Sequence, residues 1–356
     1  LLKERQNNEE KIKNNDIEKS SKSIIQQVEI NTVSVSFPFL ITQLCKLHQY
    51  LFENNRLDAI VKNNPVRNVV DSFAKAHKAY GHDNSLILLV TQPFENNRFD
   101  QVGLEQLLWD IYKIKLVRRS LSEIFDNCFL RNGHLILDGQ IVSITYFRSG
   151  YSPNDFNEKN AIKGRKLIEN SSTIQVPNLN VQLAGMKKIQ QVLTNPKIIS
   201  KFVSPEIAKI ILKTFVKMYS LDEIVVTSEG GISASDLAAK NPNYFVVKPQ
   251  REGGGNNFFG GDIKKLISKI NEKELNNYVL MEKILPTTHS AILVVSNNAE
   301  LQSCISEIGR YGICTSENGY ITSNFDAGYL VRTKSEDINE GGVCSGFACL
   351  NSLKIN

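Results

Sequence analysis

Lys248-Pro249-Gln250-Arg251-Glu252-Gly253-Gly254-Gly255-Asn256-Asn257 follows an apolar, β-branched run at 244–247 that reads as a strand. Three consecutive glycines let backbone N–H groups turn toward one point and let a bulky anion approach closely. Lys248 and Arg251 flank the loop with positive charge, and Glu252 and Asn257 offer oxygen to a hard cation. Strand, lysine, glycine loop and carboxylate together suit a magnesium-bound nucleoside triphosphate. The loop is not a Walker A sequence, because Gly255-x4-Gly260 runs into Gly261-Asp262 instead of Lys-Ser/Thr. It is not G-x-G-x-x-G either, because Phe stands at 258. Three glycines alone read equally well as a surface loop; the complete string does not.

Downstream of the loop, strands are expected at 278–283, 290–296, 300–307 and 319–323, with a helix at 261–272. Antiparallel strands around one helix indicate an α+β unit. Upstream, the apolar run 86–91, the helical spacing of 101–113 and the strand 115–118 make an α/β-type βαβ unit. Asp138-Gly139 between 135–137 and 141–147 predicts a β-hairpin. Helices are expected near 40–63, 66–80, 158–170, 183–194 and 205–218. The alternating segment 27–36 (QVEINTVSVS) reads as a strand. Residues 1–23 read as a solvated helix end and a linker, and a start at Leu1 without Met suggests a trimmed or partial chain. Asn-rich tracts such as Asn54-Asn55 and Asn96-Asn97 read as compositional bias.

The 356 residues allow about two domains. Hydrophobic residues are 41% and charged residues 22%, an ordinary globular balance. The net charge of +5 lacks the clustered Lys, Arg and aromatic residues of a nucleic-acid surface. No apolar run reaches 18 residues and no signal-peptide pattern opens the chain, so neither membrane nor secretion is expected. Cys45, Cys128, Cys304, Cys314, Cys344 and Cys349 form no CxxC pair and have no histidine at ligand spacing. Reduced thiols in a cytoplasmic protein fit better than zinc or disulfides.

Six further segments accompany KPQREGGGNN: QVEINTVSVSF (27–37), YFRSGY (146–151), QLAGMKK (182–188), LMEKI (280–284), CISEIGRYG (304–312) and LVRTK…GGV (330–343). In order and spacing they resemble the eukaryotic-type glutathione synthetases, a branch of the ATP-grasp ligases, from about 27 to 351. The resemblance implies an ATP-grasp fold, with an N-terminal part at 1–84, an inserted βαβ substrate domain at 85–186 and an ATP-binding part at 187–356. It implies ligation of γ-glutamylcysteine to glycine at the expense of ATP, with two Mg²⁺ ions, in a homodimer.

Residue roles follow from the same resemblance. Glu29, Asn31 and Glu252 would hold Mg²⁺. Glu29, Lys187, the loop from Lys248 to Asn257, Phe259, Met281, Glu282, Lys283, Ile284, Glu307, Lys334 and Glu340 would hold ATP. Lys187 has Lys188 beside it, and the residues alone do not separate the two. Phe259 stands where the family usually has Tyr, and Glu340 where it has Asp. Val33, Ser34, Val35, Ser36, Glu95, Asn96, Asn97, Gln101, Arg148, Ser149, Gly150 and Tyr151 would take the dipeptide, Ser149 standing where Asp is frequent. Arg332, Val343 and Cys344 would receive glycine. Arg332, Lys248 and Lys334 would be catalytic, and Cys344 is expected to pack without acting as a nucleophile. Two other readings stay open: a relative that uses another amine such as β-alanine, and an inactive ATP-binding regulator. The second gains from Arg5 being the only Arg before 27, in surroundings unlike the family's.

Overall fold

The computed structural model describes residues 24–54, 60–228, 230–251, 254–295 and 297–354. The expected helix end and linker at 1–23 lie outside them. The described residues form two compact units. One comprises 24–30, 184–251 and 256–285; the other comprises 31–183, 254–255 and 286–354.

In the first unit an antiparallel sheet runs in the order Phe258–Phe259, Phe245–Pro249, Tyr278–Glu282, Met218–Ser220. Its alternation sorts the chain into two faces. Phe245, Val247 and Leu280 pack with Ala234 and Ala238 of the helix Ala234–Lys240 and with Ile263 of the helix Gly261–Ile267. Met218, Val246, Val279 and Met281 form a separate cluster. Lys248, two residues after Val246, projects on that second face.

In the second unit Leu86–Val90 is fully buried, as a parallel strand covered on both faces requires. It lies between Leu116–Arg119 and Gln140–Phe147, parallel to both. Ile87 and Leu89 pack under the helices Pro65–Tyr80 and Arg98–Tyr112. Leu86, Leu88 and Val90 pack under Leu121–Asn127 and Ala161–Glu169. Asp138 and Gly139 both have positive φ, 50° and 79°, as the expected tight turn demands. A second antiparallel sheet follows the order His289–Val295, Asn298–Glu317, Tyr320–Ser335, Cys349–Asn351. The two central strands are much longer than the expected 300–307 and 319–323. Their exposed polar residues hid the alternation; the turn at Asn318-Gly319 joins them, and the pairing shifts register between Tyr311 and Gly312 and between Thr315 and Ser316.

Several expectations need correction. Residues 27–36 are not a strand: Ser34 and Phe37 have φ of 55° and 72°, which breaks any ladder. Part of this segment's backbone bonding goes elsewhere: Gln27 N–H donates to Thr214 O, and Ile30 exchanges two hydrogen bonds with the Gln190 side chain. The helix expected at 183–194 is two, Leu179–Ala184 and Lys187–Leu193, because Met186 is extended. That expected at 205–218 ends at Leu212, and Met218 instead pairs with Met281. The helix Leu121–Asn127 went unread, although Ser120 and Glu123 form a complete capping box at its start.

Candidate active site

In the first unit, Glu29 meets two buried lysines. Its carboxylate lies 3.0 Å from Lys187 Nζ and 3.7 Å from Lys248 Nζ. Lys248 Nζ also donates to Val28 O at 3.4 Å. Both lysines are about 95% buried, at 4% exposure each. Two buried lysines beside Glu29 concentrate ammonium groups that suit a polyanion. The geometry separates Lys187 from its neighbour: Lys187 faces Glu29, whereas Lys188 is only half-buried and offers its backbone N–H to Gln250 Oε1 at 3.0 Å. Gln250 Nε2 is buried without a partner.

Beside these lysines, Phe259 and Ile284 pack against the Val246–Met281 cluster. Four of the residues expected at the nucleotide, Lys248, Phe259, Met281 and Ile284, therefore share one sheet and its margin. Met281 and Glu282 end the strand Tyr278–Glu282, and Lys283 follows it, exposed. Glu282 lies 3.8 Å from Lys217, outside this cluster. Asn256 and Asn257 are half-buried, Pro249 ends its strand and Arg251 is exposed. Glu252 and Gly253 lie outside the described residues.

In the second unit Arg148 is the centre. Its guanidinium is buried, donates to Ser36 Oγ at 2.5 Å and lies 3.5 Å from Asp100. Burial opposes its charge, but Tyr146, Asp100 and Glu95 hold its pKa above the ordinary value. Ser34 Oγ donates to Arg148 O at 3.1 Å, and Glu95 Oε1 accepts from Asn97 N–H at 2.7 Å. Val33, Ser149 and Gly150 are buried, Val35 and Tyr151 are half-buried, and Asn96 is exposed. Buried polar atoms without partners gather here: Asn97 Nδ2, both amide atoms of Gln101, and Arg148 Nε. Such atoms are costly to leave unbonded, so a polar ligand would relieve them.

The long hairpin carries a third group. Glu307 and Arg332 are register partners, and Arg332 Nη2 lies 2.6 Å from Glu307 Oε2. Lys334 Nζ lies 3.6 Å from the same carboxylate and donates to Asn339 O and Glu340 O at 2.8 and 3.1 Å. Burial holds the Lys334 ammonium below its usual pKa despite Glu307. Glu340 Oε2 accepts from Gly255 N–H at 3.1 Å, which ties the glycine loop to the 339–346 loop. Val343 is half-buried, but Cys344 is exposed, so the expected packing role is corrected. Desolvation and the charges of Glu95 and Asp100 push its thiol above the ordinary pKa, with Arg148 opposing, which disfavours a thiolate nucleophile.

Residues 9–355 match the family model for the eukaryotic glutathione synthase, ATP binding domain. The chain belongs to the eukaryotic glutathione synthase family. It is 36% identical over 342 residues to the chloroplastic glutathione synthetase of Solanum lycopersicum, covering 93% of this chain and 61% of that protein. It is 35% identical over 337 residues to the glutathione synthetase of Rattus norvegicus, covering 92% and 70%. The chain thus spans about two thirds of the length of these relatives. The solved structure of a glutathione synthetase-like effector from Globodera pallida superimposes with a TM-score of 0.72 at 20% identity, covering 93% of this chain and 72% of that one. That likeness shows the shared fold, a mixed α/β architecture.

Several residues around the family motifs escaped the sequence reading. Asp100 accepts from the N–H groups of Phe37, Phe39 and Leu40 at 2.8, 3.0 and 3.2 Å, so it starts the helix Pro38–Asn54 while pairing Arg148. Gln190 holds the backbone next to Glu29. Asp155 bonds the loop after Arg148. The partners of Asp100 lie some 60 residues away and those of Gln190 160 away, so no local spacing exposes them. Asp155 is local, and the Ser152-Pro-Asn-Asp155 sequence carries a readable capping signal.

Proposed function

We propose that this chain carries glutathione synthetase activity: ATP-dependent joining of γ-glutamylcysteine to glycine, giving glutathione, ADP and phosphate. The single observation that carries the reading is the group of buried, unpartnered polar atoms on Asn97, Gln101 and Arg148, three positions independently expected at the dipeptide. A polar ligand with amide and carboxylate groups supplies what those atoms lack.

In this reading the cysteinyl carboxylate attacks the γ-phosphorus of ATP, the bond to the bridging oxygen breaks, and ADP leaves. The glycine amine then attacks the acyl phosphate carbonyl, and phosphate departs with the amide formed. Lys187 and Lys248 offset charge on the phosphates, and Met281, Ile284 and Phe259 hold the base by apolar contact. Arg148 holds the dipeptide, Arg332 takes the glycine carboxylate, and Glu307 keeps Arg332 oriented. The Glu340–Gly255 bond joins the two glycine-rich loops, which suits a cover that excludes water from a hydrolysable acyl phosphate.

Magnesium fits the donor chemistry. The implied set is all oxygen: Glu29, Asn31 and Glu252, the last outside the described residues. Among the described residues no three His, Cys, Asp or Glu side chains gather into a metal cluster. Mg²⁺ usually needs only one or two carboxylates plus substrate phosphates, and Glu29 supplies one. When bound, the ion would neutralise phosphate charge.

The proposal extends to segment 85–186 as the substrate-binding domain and to a cytoplasmic homodimer. No described helix is long and apolar enough to cross a membrane. ADP release with ATP, Mg²⁺ and γ-glutamylcysteine, with and without glycine, tests the activity. Release that requires both substrates and yields glutathione is expected; ATP binding without such release would overturn the reading. Competition between glycine and β-alanine reports the amine.

A further inference from the structure

We propose that Asp155 is a positioning residue for the dipeptide, because its carboxylate fixes the shape of loop 148–151. This rests on the dipeptide reading above. One oxygen, Oδ2, accepts three successive backbone N–H groups: Gly150 at 2.9 Å, Tyr151 at 3.1 Å and Ser152 at 3.0 Å. The other, Oδ1, accepts from Gln92 Nε2 at 3.3 Å.

A purely local role explains only part of this. Ser152 and Asp155 form a capping box for the short turn Pro153–Phe156, in which Ser152 Oγ accepts from Asn154 N–H at 3.3 Å. A capping box asks one N–H of Asp155, that of Ser152. The N–H groups of Gly150 and Tyr151 precede the turn, so their capture does nothing for it. What they shape is the loop that carries Arg148, Ser149 and Tyr151.

The loop needs such a hold. Gly150 has φ +92°, a conformation favoured only for glycine and therefore one of many open to this residue in a loose chain. Its carbonyl is held from the other side, by Arg165 Nη1 at 3.4 Å and Gln182 Nε2 at 3.3 Å. Arg165 is itself fixed by Gln182 Oε1 at 3.1 Å and by the Phe147 ring at 4.0 Å. Upstream, Arg148 N–H is taken by Val90 O at 2.9 Å. With both sides of Gly150 and the entry at Arg148 anchored, the loop offers substrate its side chains, while the Gly150 and Tyr151 amides are already used. Loss of the carboxylate leaves three N–H groups to compete for the ligand and frees Gly150 to change φ.

Steady-state kinetics of the full chain test this with Asp155→Ala and Asp155→Asn, each substrate varied in turn. Misplacement of a binding group by about 1 Å costs up to about a hundredfold. For Asp155→Ala we expect the KM for γ-glutamylcysteine to rise about tenfold or more, with the KM values for ATP and glycine within about twofold. Asp155→Asn, which keeps a neutral acceptor, should fall between Asp155→Ala and the unaltered chain. Equal shifts in all three KM values, or none, would overturn the proposal. If Asp155→Ala fails to fold, the Asn variant decides by the same criterion. If the unaltered chain shows no dipeptide-dependent ADP release, the dipeptide reading has failed, and amide hydrogen exchange in Asp155→Asn then judges Asp155. Faster exchange at 150–152 with the strand Leu86–Val90 still protected sustains the positioning role; unchanged exchange overturns it.

Discussion

At the residue scale, the buried lysines give the sharpest contrast. Lys187 and Lys188 are adjacent, yet only Lys187 reaches Glu29. Lys187→Ala and Lys248→Ala are each expected to weaken ATP binding about tenfold or more, the loss of at least one charge-assisted contact. Lys188→Ala should stay within about twofold, and titration calorimetry separates the three. Lys334 sets a pH limit. Its folded pKa is lowered, chiefly by burial, so its positive charge is lost at a lower pH than an exposed lysine's as pH rises. Activity that depends on that charge therefore falls on the alkaline side. Lys334→Arg should move the alkaline limb of the kcat/KM profile to higher pH, and an unmoved limb would assign that ionisation elsewhere.

At the element scale, Asp100 and Gly164 hold helices in place. Burial pushes the Asp100 carboxyl above the usual carboxylate range, against the pull of Arg148 and three backbone amides. Its charged form is thus costly by itself and tolerable only with its partners. Asp100→Ala would remove the ion-pair partner of a buried guanidinium and leave the amides that start the helix Pro38–Asn54 without their acceptor, a loss of about 3–5 kcal/mol. Gly164 lies where the helices Ala161–Glu169 and Leu121–Asn127 touch. A Cβ there would sit 1.9 Å from Leu121 O, a backbone atom that cannot rotate away. Gly164→Ala should destabilise by about 1–3 kcal/mol through forced backbone shifts, read as a lower urea midpoint at unchanged slope. The same scale shows why 27–36 was misread. Its alternation is that of a strand, but the positive φ of Ser34, that of Phe37 just after it, and the side chain of Gln190 turn it into a strap.

At the scale of the whole molecule, ligand binding should appear as stability. A ligand that binds only the folded state adds about 2.7 kcal/mol at a hundred times its dissociation constant. Mg-ATP should therefore raise the melting temperature progressively with concentration, and the Lys248→Ala variant should need far more nucleotide for the same rise. A shift identical in both would remove Lys248 from the nucleotide site.

The sequence by itself determined the fold class and the family, and it named the candidate site residues, because these rest on contiguous signals. The glycine loop, the seven ordered motifs, the buried run Leu86–Val90 and the Asp138-Gly139 turn each act within a few residues, where spacing alone fixes which groups share a face or a turn. Only the tertiary structure decided that Lys187 and Lys248 both meet Glu29, that Met218 joins a sheet and does not extend a helix, that Cys344 is exposed, and that Arg148 stands on Asp100 and Ser36. Those outcomes depend on partners tens to hundreds of residues away. Such contacts win by burial and polar satisfaction across the folded chain, terms that local propensity and periodicity do not contain.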